Sequence, residues 1–170
     1  MALVVSDSST LIHLTRIGRL ALLKQLYTRI TITPAVWREV VEQGQGKAGA
    51  VEVSDALTAG WLDVASPSDE SLIRLLTRDL GDGESEVIAL AIERKADLTL
   101  LDELEARRIA DIYSLSKTGV IGVLIRAKQE GMIRSLRPDL DRLRQAGRFW
   151  IEEELYQRAL AAVGEADESS

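Results

Sequence analysis

The sequence predicts an α/β fold with a central, mainly parallel sheet, on three observations. Short apolar runs such as "LVV" (3–5), "RITIT" (29–33), "WLDVA" (61–65) and "DLTLL" (97–101) have the length and β-branched character of strands. Longer segments place apolar residues at three- and four-residue spacing, as amphipathic helices do. The two kinds alternate along the chain, the arrangement that builds parallel sheets.

The first strand stops at Asp7, and Ser8, Ser9 and Thr10 follow before Leu11, Ile12 and Leu14, then Ile17, Leu20, Leu22, Leu23 and Leu26, set a helical pattern. A strand over 30–32 ends at Thr33, a capping residue, with Pro34 at the first position of the helix "AVWREVVEQ". A helix over 47–58 leads to the strand at 61–65. "SDESLIRLLTR" is a helix with a Ser/Asp cap, and "GDGESEVIALAIERK" is a helix entered through two glycines. The strand "DLTLL" ends at Asp102, and "ELEARRIADIY" follows as a helix. Beyond it the pattern gives helices "GVLIRAKQEG" and "LRPDLDRLRQAG", a brief strand "RFWI" and a last helix "EEELYQRALAAV". We expect one domain over 1–163 and a disordered tail over 164–170, where "GEADESS" is polar.

Composition narrows the chemistry. A 46% hydrophobic fraction suits a compact core, and no apolar run nears the roughly 18 residues of a membrane span. The start lacks the basic region and apolar stretch of a signal peptide, so a cytoplasmic protein is expected. With no cysteine and one histidine, thiolate metal sites, thiol nucleophiles and Ser-His-Asp triads are disfavoured, and any catalysis must lean on carboxylates. The net charge of −6 weighs against nucleic acid as a partner. Residues 106–148 nevertheless hold ten Lys or Arg against four Asp or Glu, which leaves one basic face for phosphates or an ordinary solvated helix surface.

Asp7 and Asp102 both follow strands, and parallel strands put those ends on one edge of a sheet, where sites form. At about 100° per residue, Glu84 shares a stripe with Val87, Ile88 and Ala91 while Glu86 points away. An acid on a buried stripe is costly unless paired or metal-bound, so Glu84 is the better candidate. Glu39 lies beside Val36 and Val40 at the border of its helix's buried face, with Glu42 further toward solvent. Four carboxylates from four elements, without soft ligands, suit Mg²⁺ or Mn²⁺ rather than zinc. With one or two such ions the site could polarise and hydrolyse a phosphodiester.

"VVSDSSTLIHL", "ITITPAVWREVV", "LGDGESEVIALA", "LTLLDELEARRIA" and "KTGVIGVLIRAKQEG", in that order, resemble the PIN-domain proteins over about residues 3 to 160. Within that family the motifs are similar to an uncharacterised prokaryotic PIN-like branch related to the ribonuclease toxins of toxin–antitoxin pairs. The resemblance implies a three-layer α/β/α sandwich, a Mg²⁺- or Mn²⁺-dependent ribonuclease, a homodimer and inhibition by an antitoxin protein. It maps the family's acids onto Asp7, Glu39, Glu84 and Asp102, with Ser8 and Ser9 orienting them and Glu103 or Glu105 as a supporting acid. Family members often carry Asp at the third position, which leaves Glu86 open as an alternative ligand. Asp102-Glu103 stands where relatives often have two aspartates, which leaves the number of metals open.

Other signals carry less. "GQGKAG" (44–49) has dinucleotide-loop spacing but follows a helix, so no nucleotide cofactor is expected. "DSST" lacks the second Asp that a dehalogenase-like phosphatase needs; Ser9 stands there. His13 reads as a partner on a half-buried helix, and Trp37, Trp61 and Trp150 as core or interface residues. Arg107 or Arg108 is placed to neutralise the acids, contact a phosphate or pair with Asp111 or Glu105. Lys117 and Thr118 are candidates for a substrate groove.

Overall fold

The computed structural model describes residues 2–146 and 149–166. Five strands form one sheet: β1 (Val4–Ser6), β2 (Ile30–Ile32), β3 (Leu62–Val64), β4 (Leu98–Leu100) and β5 (Lys117–Thr118). Their order is β3-β2-β1-β4-β5, and every pairing is parallel. Val5 sits opposite Thr31 on one side and Thr99 on the other. A central parallel strand is covered on both faces, so β1 and β2 are buried at every position.

The described helices are α1 (Ser8–Arg16), α2 (Ala21–Tyr27), α3 (Pro34–Trp37), α4 (Ala50–Ala59), α5 (Glu70–Leu76), α6 (Asp82–Arg94), α7 (Leu104–Ile112), α8 (Val120–Gln129), α9 (Arg137–Ala146) and α10 (Glu153–Ala162). α6 lies on β1 and β4 and packs against α3, α5 and α7. α8 packs with α1, α2 and α10. These groups flank the sheet as an α/β/α sandwich, with Leu14, Leu23, Ile88, Leu90 and Leu124 fully buried between layers.

The topology fixes where a site can form. From β1 the chain winds outward through β2 and β3, then returns to lay β4 on the other flank of β1. The connections leaving β1 and β4 therefore diverge, opening a crevice at the carboxyl ends of those strands. Asp7 and Asp102 stand at those two ends, and the Asp7 N–H donates to the Leu100 carbonyl (3.0 Å).

Several local features depart from expectation. The first helical pattern is broken at Gly18, whose φ of +71° ends α1 before α2 begins. The helix after Pro34 changes to a π turn over Arg38–Glu42, closed by the Gln43 N–H donating to the Arg38 carbonyl (2.7 Å). β5 was not expected: it has two residues and no apolar run, and backbone bonds to Ser116 and Thr118 from Thr99 and Leu101 define it.

The expected "RFWI" strand does not form. Arg148 lies outside the described residues, and 149–151 are irregular. The alternation is real, since Ile151 is buried and Trp150 is 83% exposed. The hydrogen bonds instead go to α9: the Phe149 N–H to the Leu143 carbonyl (3.2 Å), and Arg144 to the Ile151 carbonyl (3.0 Å). Glu165, in the segment expected to trail as a tail, accepts from the Ser135 hydroxyl (2.5 Å) and Leu136 N–H (2.7 Å) at the start of α9. Residues 167–170 of that segment lie outside the described residues.

Candidate functional site

The crevice between β1 and β4 is organised by four consecutive residues, Asp7, Ser8, Ser9 and Thr10. Asp7 caps α1, its Oδ1 accepting the Thr10 N–H (2.8 Å), as expected of an acid before a helix. Its other oxygen accepts the Asp102 N–H (3.1 Å). The hydroxyls then fan out to the other acids. Ser8 donates to Glu39 Oε2 (2.5 Å), Ser9 to Glu103 Oε1 (3.1 Å) and Thr10 to Asp102 Oδ2 (2.6 Å).

Asp7 is fully buried and Asp102 half-buried. Burial, reinforced by the charge of Asp102, pushes the Asp7 carboxyl up to about 7. Burial also raises Asp102, against hydrogen bonds from Thr10 and the Val120 N–H. Glu39 accepts a second bond from the Gly83 N–H (3.0 Å) in the first turn of α6. Glu84 is raised by burial and further by the charges of Glu39 and Glu103. An inner pair, Asp7 with Asp102, thus lies beside an outer set of Glu39, Glu84 and Glu103.

Among the described residues no three acidic or histidine side chains are gathered closely enough to hold a metal ion as they stand. The donor chemistry does fit a hard divalent cation. Every candidate is a carboxylate, and within the described residues none of the five is ion-paired to Lys or Arg. Neutral N–H and O–H groups hold them in place of cations.

A family model for the PIN domain matches residues 3–165. The chain belongs to the PIN-domain family. No curated protein matches it. The PIN fold is a nuclease-type fold and its members typically use divalent metals, in keeping with a carboxylate crevice at the switch point of a parallel sheet.

In this PIN domain the two glutamates left open by the sequence have different surroundings. Glu84 feels Glu39 and Glu103, whereas Glu86 turns to α3: its Oε1 accepts the Ala35 N–H (3.1 Å) and Oε2 lies 4.0 Å from Arg38. Glu86 thus serves with Thr33 at the start of α3. Glu86→Ala should cost about 1 kcal/mol in urea denaturation and leave Mn²⁺ binding intact. Glu84→Gln should do the reverse, weakening Mn²⁺ binding in calorimetry with no loss of stability.

The supporting residues divide similarly. Arg107 donates to the Leu101 carbonyl (3.0 Å) and its charge favours ionised Asp102. Arg108 pairs with Glu105 (3.4 Å) at the surface, and Lys117 pairs with Asp111. Thr118 lines a cavity of about 450 Å³ together with Asp102, Arg107, Gly119, Phe149 and Trp150. His13 is half-buried, its ring edge-on to Phe149 at 4.7 Å. Burial lowers its proton affinity against the charges of Asp102 and Glu103, so it sits beside the acids. Trp37 and Trp61 pack against the core, and Trp150 stands outside it.

Sequence reasoning missed Thr10, which joins the two inner acids through its N–H and hydroxyl. Its position three residues after the capping Asp7 was the available signal. It also missed Gly83, whose amide reaches Glu39 across 44 positions, and for which the sequence offers no local cue.

Proposed function

We propose that this PIN domain is a metal-dependent endoribonuclease that hydrolyses RNA phosphodiester bonds, acting as the toxin of a toxin–antitoxin pair. Asp7, Glu39, Glu84 and Asp102 hold one or two Mg²⁺ or Mn²⁺ ions, and Glu103 assists. The observation that carries this reading is the pair of buried Asp7 and half-buried Asp102, at the switch point, raised in proton affinity and, among the described residues, not ion-paired to Lys or Arg. Glu39, Glu84 and Glu103, on longer side chains, supply the remaining ligands by rotation toward that pair. A bound divalent cation would polarise the phosphodiester and acidify an attacking water.

The protein's own residues do the rest. Near pH 7 Asp7 loses the proton that burial favours and becomes a charged ligand, and burial raises Asp102 in the same direction. Arg107, tethered at the Leu101 carbonyl, faces the 450 Å³ cavity as an anchor for RNA phosphate. Thr118 adds a hydroxyl, and Trp150 an exposed ring, to the same groove. Leu104, Ile112 and Trp150 are exposed apolar side chains that support an antitoxin or second-copy contact, and we propose a homodimer. No helix among the described residues is long and apolar enough to cross a membrane, and we propose a cytoplasmic protein.

The test is purified protein with Mn²⁺ and single-stranded RNA. Cleavage should fall at least about a hundredfold in Asp7→Asn and in Asp102→Asn. Equal cleavage by wild type and Asp7→Asn would sink the proposal, because the activity would then belong to a contaminant.

A second reading is a non-catalytic PIN-fold module that binds metal, RNA or protein. The absence of a closed three-acid cluster among the described residues favours it. Mn²⁺ calorimetry run beside RNA binding and cleavage separates the two: binding without turnover across many RNAs selects the module.

A further inference from the structure

Three glycines of the site have no conformational reason to be glycine. Gly18, Gly46, Gly49, Gly60, Gly131 and Gly164 adopt positive φ, where a side chain would strain the backbone. Gly81 (φ −68°) and Gly119 (φ −129°) do not, and Gly83 lies within α6, where alanine is the better helix former.

What these three share is a carboxylate lying where Cβ would be. A Cβ on Gly83 would stand 2.6 and 2.7 Å from the two oxygens of Glu39, whose carboxylate accepts the Gly83 N–H. On Gly81 it would stand 2.8 Å from Glu84 Oε2. On Gly119 it would run into Asp102 Oδ1 and come within 3.0 Å of Arg107 Nη1. The N–H of the next residue, Val120, donates to that same Asp102 oxygen (2.9 Å). Three of the four proposed ligands therefore rest directly on main chain.

We propose that Gly81, Gly83 and Gly119 are positioning residues of the acidic site, each omitting Cβ so that one carboxylate lies against the backbone at the edge of the crevice, from where it serves the metal. This rests on the metal-binding reading above. Gly83 gives the cleanest case. Its obstruction is the far end of a flexible Glu39, so an added methyl group displaces the carboxylate rather than the fold.

The test is Gly83→Ala, followed by calorimetric Mn²⁺ titration and thermal melting. The melting temperature should hold or rise, because alanine favours α6, while Mn²⁺ affinity falls about tenfold or more. Glu39→Asp, which shortens the carboxylate away from the new methyl, should weaken binding alone yet restore part of it in the Gly83→Ala background. Gly119→Ala should likewise lose affinity through Asp102. Wild-type Mn²⁺ affinity in Gly83→Ala, or a loss that only tracks lost stability, overturns the role while leaving the metal reading intact. A wild-type protein that binds no Mn²⁺ removes the metal reading itself, and this role with it.

Discussion

Replacing Asp7 by asparagine should make the metal-free protein more stable above pH 7, although the residue is fully buried and twice hydrogen-bonded. The folded Asp7 carboxyl titrates at about 7, against an ordinary value of 3.8. Between those values the folded state holds a proton that the unfolded chain has released, so stability falls as pH rises through this window and levels off above it. The full difference corresponds to roughly 4 kcal/mol. Asparagine carries no charge to bury, but it keeps one acceptor where Asp7 has two. Its amide nitrogen would face either the Thr10 or the Asp102 N–H, at a cost of about 1–2 kcal/mol. A net gain of about 2 kcal/mol at pH 8 is expected, or about 4–8 °C for a domain of this size. Melting curves in EDTA at pH 4.5 and 8 check it. The variant should win at pH 8, and at pH 4.5 that advantage should fall to about zero or below, because the folded wild type is then protonated and the ionisation of unfolded Asp7, worth about 1 kcal/mol, is matched or exceeded by the missing hydrogen bond. An asparagine variant that is the weaker protein at both values would remove the electrostatic account of this site.

That expectation ties the candidate function to the fold, because the same burial that burdens Asp7 places it at the switch point. The alternation of apolar strands with amphipathic helices was legible because each element carries its own period. It also implied that Asp7 and Asp102 share an edge, since parallel strands all end on one side. β5 was not legible: Lys117 and Thr118 join the sheet because the Thr99 and Leu101 N–H groups donate to the Ser116 and Thr118 carbonyls, which composition does not encode. "RFWI" misled for the opposite reason. The in–out alternation of Trp150 and Ile151 exists, but among the described residues no strand pairs with 149–151, and pairing depends on tertiary neighbours rather than on local pattern.

The site divides along the same line. Helical phase placed Glu84 and Glu86 on different sides of α6, because orientation around a helix is a local property. What Glu86 does instead, capping α3 at Ala35, depends on a contact 51 positions away and had no signature. The family resemblance placed Ser8 and Ser9 beside the acids but did not say which acid each would meet, and the contact of Thr10 with Asp102 was equally hidden. So were the bare backbones of Gly81, Gly83 and Gly119, since a glycine that makes room for a carboxylate reads in sequence like one that makes a turn.

Divalent cations should flatten the pH dependence of stability. A ligand that binds only the folded state stabilises it by RT ln(1 + [L]/Kd), about 2.7 kcal/mol at a hundredfold excess over Kd. At pH 8, Mn²⁺ at that excess should raise the melting temperature by about 5–11 °C. At pH 5 the Asp7 carboxyl is about two pH units below its titration point and roughly 1% ionised, so a proton must leave before it can act as a ligand. Apparent affinity then drops about a hundredfold, and the same Mn²⁺ concentration adds only about 0.4 kcal/mol. Asp7→Asn, which cannot become a charged ligand, should lose most of the shift at both values. Scanning the melting temperature against pH with Mn²⁺ and with EDTA reads all of this from folding alone, without a substrate. A shift of equal size at pH 5 and pH 8 would mean that the ion binds elsewhere. No shift at pH 8 would mean that the five carboxylates do not close around a cation, and the nuclease and the metal-binding module would both lose their basis.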